Sequence, residues 1–142
     1  MSFSVSSVSS SAAAIAASRV LTELDHVRIG KWLDAQASAN ESLRQLLDNA
    51  DLVSSDAVAP DVVTMRSRVR ARAADGDSRD LTLVYPDEAD ASQGRVSVLS
   101  PVGTALLGLR VGEVARWQVP GGQTVTLHVD AVTYQPEASG EP

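Results

Sequence analysis

The sequence predicts an α+β fold: a short N-terminal antiparallel helical hairpin, then a domain of antiparallel strands with one short helix. Three observations support this fold class. Apolar residues recur with a helical period between residues 22 and 50. From residue 62 they alternate with polar residues, as in strands that bury one face. A Ser-Pro pair at positions 100 and 101 opens a single helix among those strands.

Composition narrows the function classes. The chain of 142 residues is 44% apolar and 21% charged, which fits one ordinary globular domain with an appendage. It has no cysteine, so disulfides and thiol catalysis are excluded. A net charge of -6 argues against general affinity for nucleic acid or anionic membranes. No apolar run approaches the roughly 18 residues of a membrane span, and we expect a cytoplasmic protein.

The N-terminal stretch, residues 1–18, is an uncharged Ser/Ala tract. An export signal needs a basic start and a continuous apolar centre, and this tract has neither. We therefore expect a disordered tail over residues 1–19, because such a composition buries too little apolar surface to offset the entropy of ordering.

Two helix starts define the predicted hairpin, residues 20–51. Thr22-Glu23-Leu24-Asp25 resembles a capping box with Asp in place of Glu, and Ser38-Ala39-Asn40-Glu41 has the full Ser-x-x-Glu spacing. The turn between the helices is so short that they must lie antiparallel, and the first helix reaches about 24 Å. The apolar stripes are Ile29, Trp32 and Leu33 in the first helix, and Leu43, Leu46, Leu47 and Ala50 in the second.

The sheet domain is predicted at residues 61–136, after a linker at residues 52–60 and before a frayed tail at residues 137–142. Its first strand begins at Val62 and turns at Asp75-Gly76-Asp77. Alternation places one set of side chains on the buried face of that strand: Val63, Met65, Ser67, Val69, Ala71 and Ala73. Later strands are expected near residues 81–85, 95–99, 114–119 and 124–134, with a helix from the Ser100 N-cap to Gly108.

One long motif resembles a known family. Residues 100–113 read Ser-Pro-Val-Gly-Thr-Ala-Leu-Leu-Gly-Leu-Arg-Val-Gly-Glu, similar to the S-P-x-G-x-A-L-L-G-x-x-V-G-[DE] signature of the Gre transcript-cleavage factors' C-terminal domain. Pro120-Gly121-Gly122 matches the P-G-G turn of that family. Three segments, residues 61–65, 83–86 and 134–138, are similar to the Rnk branch of the family, the regulators of nucleoside diphosphate kinase.

The resemblance implies an FKBP-like domain beside a helical hairpin. In Gre factors the domain docks at the rim of the RNA polymerase secondary channel, and two acids at the hairpin tip help to hold a catalytic Mg²⁺. Rnk proteins have a shorter hairpin and compete for the same entrance without promoting cleavage. The resemblance therefore implies a monomeric, non-catalytic transcription regulator that binds RNA polymerase, with no cofactor, no metal and no sequence-specific contact with nucleic acid.

Two groups of residues are candidates for binding. Ser100, Pro101 and Val102 match the Gre loop that contacts the polymerase rim, although Leu99 stands where cleavage factors usually carry a polar or acidic residue. The second group is a candidate docking patch that strand alternation places on one face; the alternative is a solvated face paired with cross-strand acids such as Asp80. Its members are Arg66, Arg68, Arg70 and Arg72.

The acids nearest the predicted hairpin tip are Asp34 and Glu41. They lie on either side of the turn instead of forming an acid pair on it, and a capping role for Glu41 and a solvated Asp34 explain them more simply. Transcript cleavage, prolyl isomerisation and an adaptor role for another partner remain the alternatives. His26 and His128 fall in separate predicted elements, and no hydrolase, phosphate-loop or metalloprotease motif accompanies them.

Overall fold

The computed structural model describes residues 19–35 and 40–140, and it confirms the α+β class. None of the helices in this part of the chain is long and apolar enough to cross a membrane. The strands are β1 (Val20–Thr22), β2 (Asp51–Val53), β3 (Arg68–Ala73), β4 (Ser78–Val84), β5 (Arg95–Ser97), β6 (Val114–Gln118) and β7 (Thr124–Tyr134). The helices are α1 (Glu23–Ala35), α2 (Glu41–Asn49), α3 (Pro101–Leu106) and α4 (Pro136–Ser139).

Helices α1 and α2, the helical pair, begin at side-chain caps. The Thr22 hydroxyl accepts a hydrogen bond from the Asp25 amide at 3.0 Å, as the capping pattern predicts. The predicted cap of α2 is wrong. Asn40 caps it, because its Oδ1 accepts from the Leu43 amide at 3.2 Å, and Glu41 is the first residue of the helix. Ser38 lies outside the described residues. The inward stripes are confirmed, with Ile29, Leu33, Leu43 and Leu47 buried in a common core.

The two ends of the helical pair meet in a parallel two-stranded sheet. Val20 pairs with Asp51, and Thr22 pairs with Val53. We predicted a linker from residue 52, whereas Leu52 and Val53 belong to this sheet. Arg19 was assigned to the tail, yet its guanidinium donates to the carbonyls of Ala105 and Leu107 at 3.1 and 2.7 Å. The start of the helical pair is therefore hydrogen-bonded, through Arg19, to the C-terminal end of α3 and the residue after it.

The larger sheet has the order β5-β4-β3-β7-β6. Strands β3, β4, β6 and β7 pair antiparallel, but β5 runs parallel to β4, which corrects the expectation of a purely antiparallel domain. Register shifts between Arg68 and Val69 and between Arg70 and Ala71 curl the sheet where β3 meets β7. Helix α3 packs against β6 on the face that carries Val69, Ala71 and Val129 into the core.

Residues 62–67 are not the strand that alternation predicted. Val62 and Val63 are both 0% exposed, and Thr64, Met65 and Ser67 are buried as well. Arg66 has a φ of 66°, in the left-handed region, which interrupts any extended strand. Polar groups from α1 and α4 bind this segment, so polar as well as apolar side chains are covered. The alternating pattern holds only from Arg68 onward.

The C-terminal segment is ordered beyond Pro136, where we expected a frayed end. Pro136–Ser139 form α4, with Pro136 buried. The Thr64 hydroxyl donates to the Glu137 carboxylate at 2.7 Å, and the Gln135 amide donates to the Ala59 and Val62 carbonyls. The last helix therefore holds residues 59–64 in place. Residues 141–142 lie outside the described part.

Candidate interaction surface

The Ser-Pro turn, residues 100–102, is held by hydrogen bonds, and it exposes one of its three residues to solvent. Ser100 Oγ accepts from the Gly103 amide at 3.2 Å and donates to the Ser97 carbonyl at 2.6 Å, so its side chain is fully used in the turn. Pro101 is the first residue of α3 and is exposed, whereas Val102 is partly buried against the core. Of the three residues carried over from the resemblance, Pro101 is the one presented for contact.

The turn is held from below by close backbone packing. A Cβ on Gly103 would overlap the Ser97 carbonyl oxygen, so this approach of α3 to β5 requires glycine. Thr104 Oγ1 donates to the Val98 carbonyl at 2.7 Å. Leu99, which departs from the family pattern, packs its side chain against the core. Its carbonyl accepts from Asn40 Nδ2 at 3.1 Å, which links the start of α2 to the turn.

An open groove of about 650 Å³ lies beside the turn, between α2, α3 and β6. Pro101 is part of its wall. The described residues that line it include two arginines, four carboxamides and one indole, and none of them carries a carboxylate: Arg19, Asn40, Ser42, Gln45, Leu46, Asn49, Leu99, Pro101, Thr104, Ala105, Arg116, Trp117 and Gln118. Sequence reasoning missed the groove, because its walls come from four separated segments and share no motif.

The predicted arginine patch is only partly assembled on one strand. Arg68, Arg70 and Arg72 alternate along β3 with exposed side chains, but Arg66 lies off the strand. Three of the four are paired with acids. Arg66 binds Glu88 through two hydrogen bonds at 2.9 and 3.1 Å, and its guanidinium lies 5.4 Å from the centre of the Tyr85 ring. The remaining pairs are Arg70 with Asp80 at 3.2 Å and Arg72 with Asp130 at 3.1 Å.

These pairs neutralise much of the patch. The hydrogen bond from Arg66 holds the pKa of Glu88 below its usual value, so this acid stays ionised beside the guanidinium. Arg70 and Asp80 are the cross-strand pair foreseen in the alternative interpretation. Arg68 has no ion pair with any of the described residues, and it is the member of the patch whose charge is not locally balanced.

The acids near the tip of the helical pair do not form a joint site. Asp34 faces Arg44 across the pair, with 3.7 Å between Oδ1 and Nη1, and the carboxylate side chain is 79% exposed. Glu41 lies in the first turn of α2, where a negative charge complements the helix dipole. Residues 36–39, between them, lie outside the described part. Within the described ranges no group of three or more His, Asp or Glu residues could hold a metal.

The two histidines lie apart, as their positions in the sequence predicted. His26, in α1, lies with Nε2 at 3.2 Å from the Leu47 carbonyl; the acceptor is a carbonyl, so Nε2 carries the proton. His128 is partly buried in β7, opposite Arg72 and Val114. His26 thus joins α1 to α2 and has a structural role.

A buried carboxylate that sequence reasoning placed only in a capping box joins α1 to the sheet domain. Asp25 is 4% exposed, and its Oδ2 accepts from the Met65 amide at 3.0 Å. Burial raises the pKa of Asp25 to about 6; the Glu137 carboxylate also raises it, while the Met65 amide and the Thr22 hydroxyl lower it. Burial likewise raises the pKa of the nearby Tyr85 phenol. In the sequence, the Thr-x-x-Asp pattern of residues 22–25 indicates only a helix cap. It gives no sign that Asp25 binds the Met65 amide, 40 residues further along the chain.

Comparison with known proteins places this architecture. Residues 58–134 match the family described as "Transcription elongation factor, GreA/GreB, C-term". The chain is 43% identical over 127 residues to the regulator of nucleoside diphosphate kinase of Escherichia coli strain K12, covering 86% of this chain and 93% of that protein. It is 36% identical over 84 residues to transcription elongation factor GreA of Geobacillus kaustophilus, and there the match spans only 53% of the relative.

A solved structure agrees with the sequence comparisons. The prokaryotic transcription elongation factor GreA/GreB from Nitrosomonas europaea superposes with a TM-score of 0.70 at 36% identity, covering 82% of this chain and 98% of that one. The similarity includes the Ser100–Glu113 motif within the matched region, and it extends over the helical pair as well as the sheet domain. The chain therefore belongs to the GreA/GreB C-terminal family, with a regulator of nucleoside diphosphate kinase among the relatives that it matches over most of its length.

Proposed function

We propose that this protein is a non-catalytic transcription regulator that binds RNA polymerase near the secondary channel. In this role it competes with Gre-type elongation factors and does not stimulate transcript cleavage. The observation that carries the proposal is the exposed Pro101 on a turn fixed by Ser100, Gly103 and Thr104, within the motif by which the chain resembles Gre factors. A turn that is already held by these hydrogen bonds loses little conformational entropy on binding, which suits a docking surface.

The helical pair supports the non-cleaving part of the proposal. Helix α1 has 13 residues and therefore extends about 20 Å. Asp34 is paired with Arg44, and Glu41 lies at a helix start. Binding a hard cation such as Mg²⁺ at a distant active site would need at least two convergent carboxylates. A short arm whose nearest acids do not converge on a joint site fits a protein that occupies an entrance without contributing to the chemistry.

The proposed role also implies a domain organisation and an oligomeric state. We infer that residues 61–136 form an FKBP-like docking domain and that residues 20–51 form a short hairpin beside it. The protein acts as a monomer in the cytoplasm and needs no cofactor. The Arg patch, residues 66, 68, 70 and 72, contributes a second and weaker contact with an acidic surface, because most of its charge is balanced locally.

The test is equilibrium binding of the purified protein to core RNA polymerase in competition with a fluorescent Gre factor. We expect displacement of the Gre factor, and a weaker competitor when Pro101 is replaced by Ala. Pro60→Ala is the matched control, since Pro60 is also exposed but lies in the segment before the sheet domain. A wild-type protein that binds polymerase without displacing the Gre factor would overturn the shared site.

A second assay addresses catalysis. Stalled, backtracked transcription complexes are incubated with the protein, and the released RNA is quantified against a Gre factor. We expect no stimulation by the wild type, and no change in the Asp34→Ala/Glu41→Ala variant. Stimulation that is lost in this variant would instead assign the chain to the cleavage factors.

A further inference from the structure

The sheet has one open edge beside the groove. Strand β6 is the last in the order β5-β4-β3-β7-β6, and β7 is its one partner among the described strands. Arg116, Trp117 and Gln118 all line the groove, although neighbouring residues of a strand point to opposite faces of a sheet. A groove that touches three consecutive residues runs along the edge of the strand, where backbone donors and acceptors are available to an incoming chain.

The charges of the groove differ from those of the whole molecule. The chain carries a net charge of -6, yet among the described residues the ionisable ones that line the groove are Arg19 and Arg116. Arg19 is partly buried, its guanidinium binds the carbonyls at the end of α3, and the Glu113 carboxylate interacts with its charge. Arg116 is exposed on the rim and has no ion pair with the described residues. An acidic occupant is thus favoured over a basic one.

The opposite wall is suited to an extended chain. Gln45 and Asn49 lie one helical turn apart on α2. The Asn49 side-chain amide donates to the Gln45 carbonyl at 2.8 Å, and its Oδ1 and the Gln45 carboxamide are hydrogen-bonding groups that face the groove lining. Leu46 on α2 and the partly buried Trp117 on β6 supply apolar surface to the two walls of the groove. Backbone pairing along a strand edge, with pockets for alternate side chains, is a recurring way to recognise an extended peptide.

We propose that this groove binds an extended, acidic segment of a partner protein, which adds to the sheet along the free edge of β6. The inference deepens the proposed function and rests on it: the segment belongs to RNA polymerase, and Pro101 contacts the same region at the groove wall. Arg116 pairs with a carboxylate of the segment, and an apolar side chain of the segment packs between Leu46 and Trp117.

The first test maps the contact. A photo-crosslinking residue replaces Gln118 in the groove, or Ala91 beside β5 at the opposite edge of the sheet, and each variant is irradiated in complex with core RNA polymerase. We expect crosslinks from position 118 to a polymerase segment rich in Asp and Glu, identified by mass spectrometry, and none from position 91. Crosslinks from position 118 to a segment without excess acid, or crosslinks only from position 91, would overturn the inference.

The second test measures charge. Arg116→Glu is expected to weaken polymerase binding about fivefold at low salt, with a smaller effect at high salt. Arg95→Glu, on β5, is the matched control with the same change in net charge and is expected to bind as the wild type does. If wild type binds and both variants bind equally well, the inference fails while the proposed function stands. If the wild type itself does not bind, the proposed function fails, and the inference fails with it.

Discussion

The carboxylate of Asp25 accepts a hydrogen bond from the backbone amide of Met65, with 3.0 Å between Oδ2 and N. The contact joins α1 to residues 62–67, and it places an ionisable group in an almost fully buried position. Since the pKa of Asp25 is raised to about 6, this side chain holds a proton more tightly in the folded protein than in the unfolded chain. The connection between the helical pair and the sheet domain therefore depends on pH.

We expect the contribution of Asp25 to stability to fall as the pH rises. At Asp25 the folded protein binds a proton more tightly than the unfolded chain, so the contribution of this group to stability is fully present below about pH 4 and is lost as the pH rises through about 6. The loss amounts to about 3 kcal/mol at most. Asp25→Asn keeps an acceptor for the Met65 amide and carries no charge, so this part of the pH dependence should disappear.

Urea unfolding at several values between pH 4 and pH 7 checks this prediction, with the difference between Asp25→Asn and wild type as the measured quantity. Asp25→Leu is the control, because it removes both the charge and the acceptor; relative to Asp25→Asn it should cost about 1–3 kcal/mol at every pH. A wild-type pH slope retained in Asp25→Asn would show that other groups control the dependence.

Gly103→Ala should be strongly destabilising. The new Cβ would meet the Ser97 carbonyl and the backbone of Val98, and backbone atoms cannot move aside cheaply. We expect a loss of about 3 kcal/mol in the free energy of unfolding. Gly30→Ala is the matched control within α1, where a Cβ meets nothing within 4 Å and should stabilise the helix by about 0.5–1 kcal/mol. Equal effects of the two substitutions would contradict the packing described for α3.

Substitutions at Ser100 and Pro101 should separate stability from binding. Ser100→Ala removes the cap of α3 and should lower stability by about 1 kcal/mol, whereas Ser100→Asp retains a capping oxygen. Pro101→Ala should change stability by less than about 1 kcal/mol while weakening polymerase binding. Thermal unfolding and the competition assay, run on the same preparations, provide the two readouts. Loss of binding in Pro101→Ala that only mirrors lost stability would argue against a contact at this residue.

The Arg patch should act through Arg68 more than through its neighbours. Arg68→Glu reverses a charge that is not paired with any described acid, so it should change stability little. Arg70→Glu places a second negative charge beside Asp80 and should cost about 0.5–1 kcal/mol of stability. If the patch docks an acidic surface, Arg68→Glu weakens polymerase binding at low salt and the difference shrinks at high salt. Unchanged affinity and salt dependence in the Arg68→Glu/Arg70→Glu variant would exclude a docking role.

Arg19 should be needed for stability although it precedes the first strand. Arg19→Ala leaves the carbonyl oxygens of Ala105 and Leu107 without this donor, and we expect a loss of about 1–3 kcal/mol. Arg79→Ala is the control, because Arg79 pairs with Asp77 in an exposed turn and should change stability by less than about 0.5 kcal/mol. Chemical unfolding compares the two variants, and a neutral Arg19→Ala would argue against the fastening role.

Local patterns predicted the elements that depend on neighbouring residues. The helical stripes, the Ser100 cap and the strands at residues 114–118 and 124–134 follow from period and capping chemistry. Long-range contacts explain the failures. Residues 62–67 have the period of a strand, but groups on α1 and α4 bind their polar atoms and bury both faces. Strands β1 and β2 have three residues each and pair across the whole helical pair, so no local signal marks them.

The candidate site shows the same division. Ser100, Pro101 and Val102 were found from a continuous motif, and the structure gives them distinct environments. Of the salt bridges that balance three of the four arginines, the cross-strand pair of Arg70 and Asp80 was foreseen as the alternative. The acids from β7 and from the helical turn after Tyr85 were not, because alternation within one strand cannot reveal them. The groove is even harder to predict from sequence. Asn40 and Leu99, which both line it and are joined by a hydrogen bond, are 59 residues apart in the chain.

The pairing of Val20 with Asp51 brings the chain back to the point from which it left. The entry and exit of the helical pair are thus adjacent, and this junction does not fix the length of the pair. Whole helical turns inserted between Ala35 and Asn40 would leave the junction unchanged, and they would also leave the hydrogen bond from Asn40 to the Leu99 carbonyl in place. The length of the helical pair can therefore be altered, by selection or by design, separately from the β1–β2 junction that anchors it. One such junction can carry helical pairs of very different length.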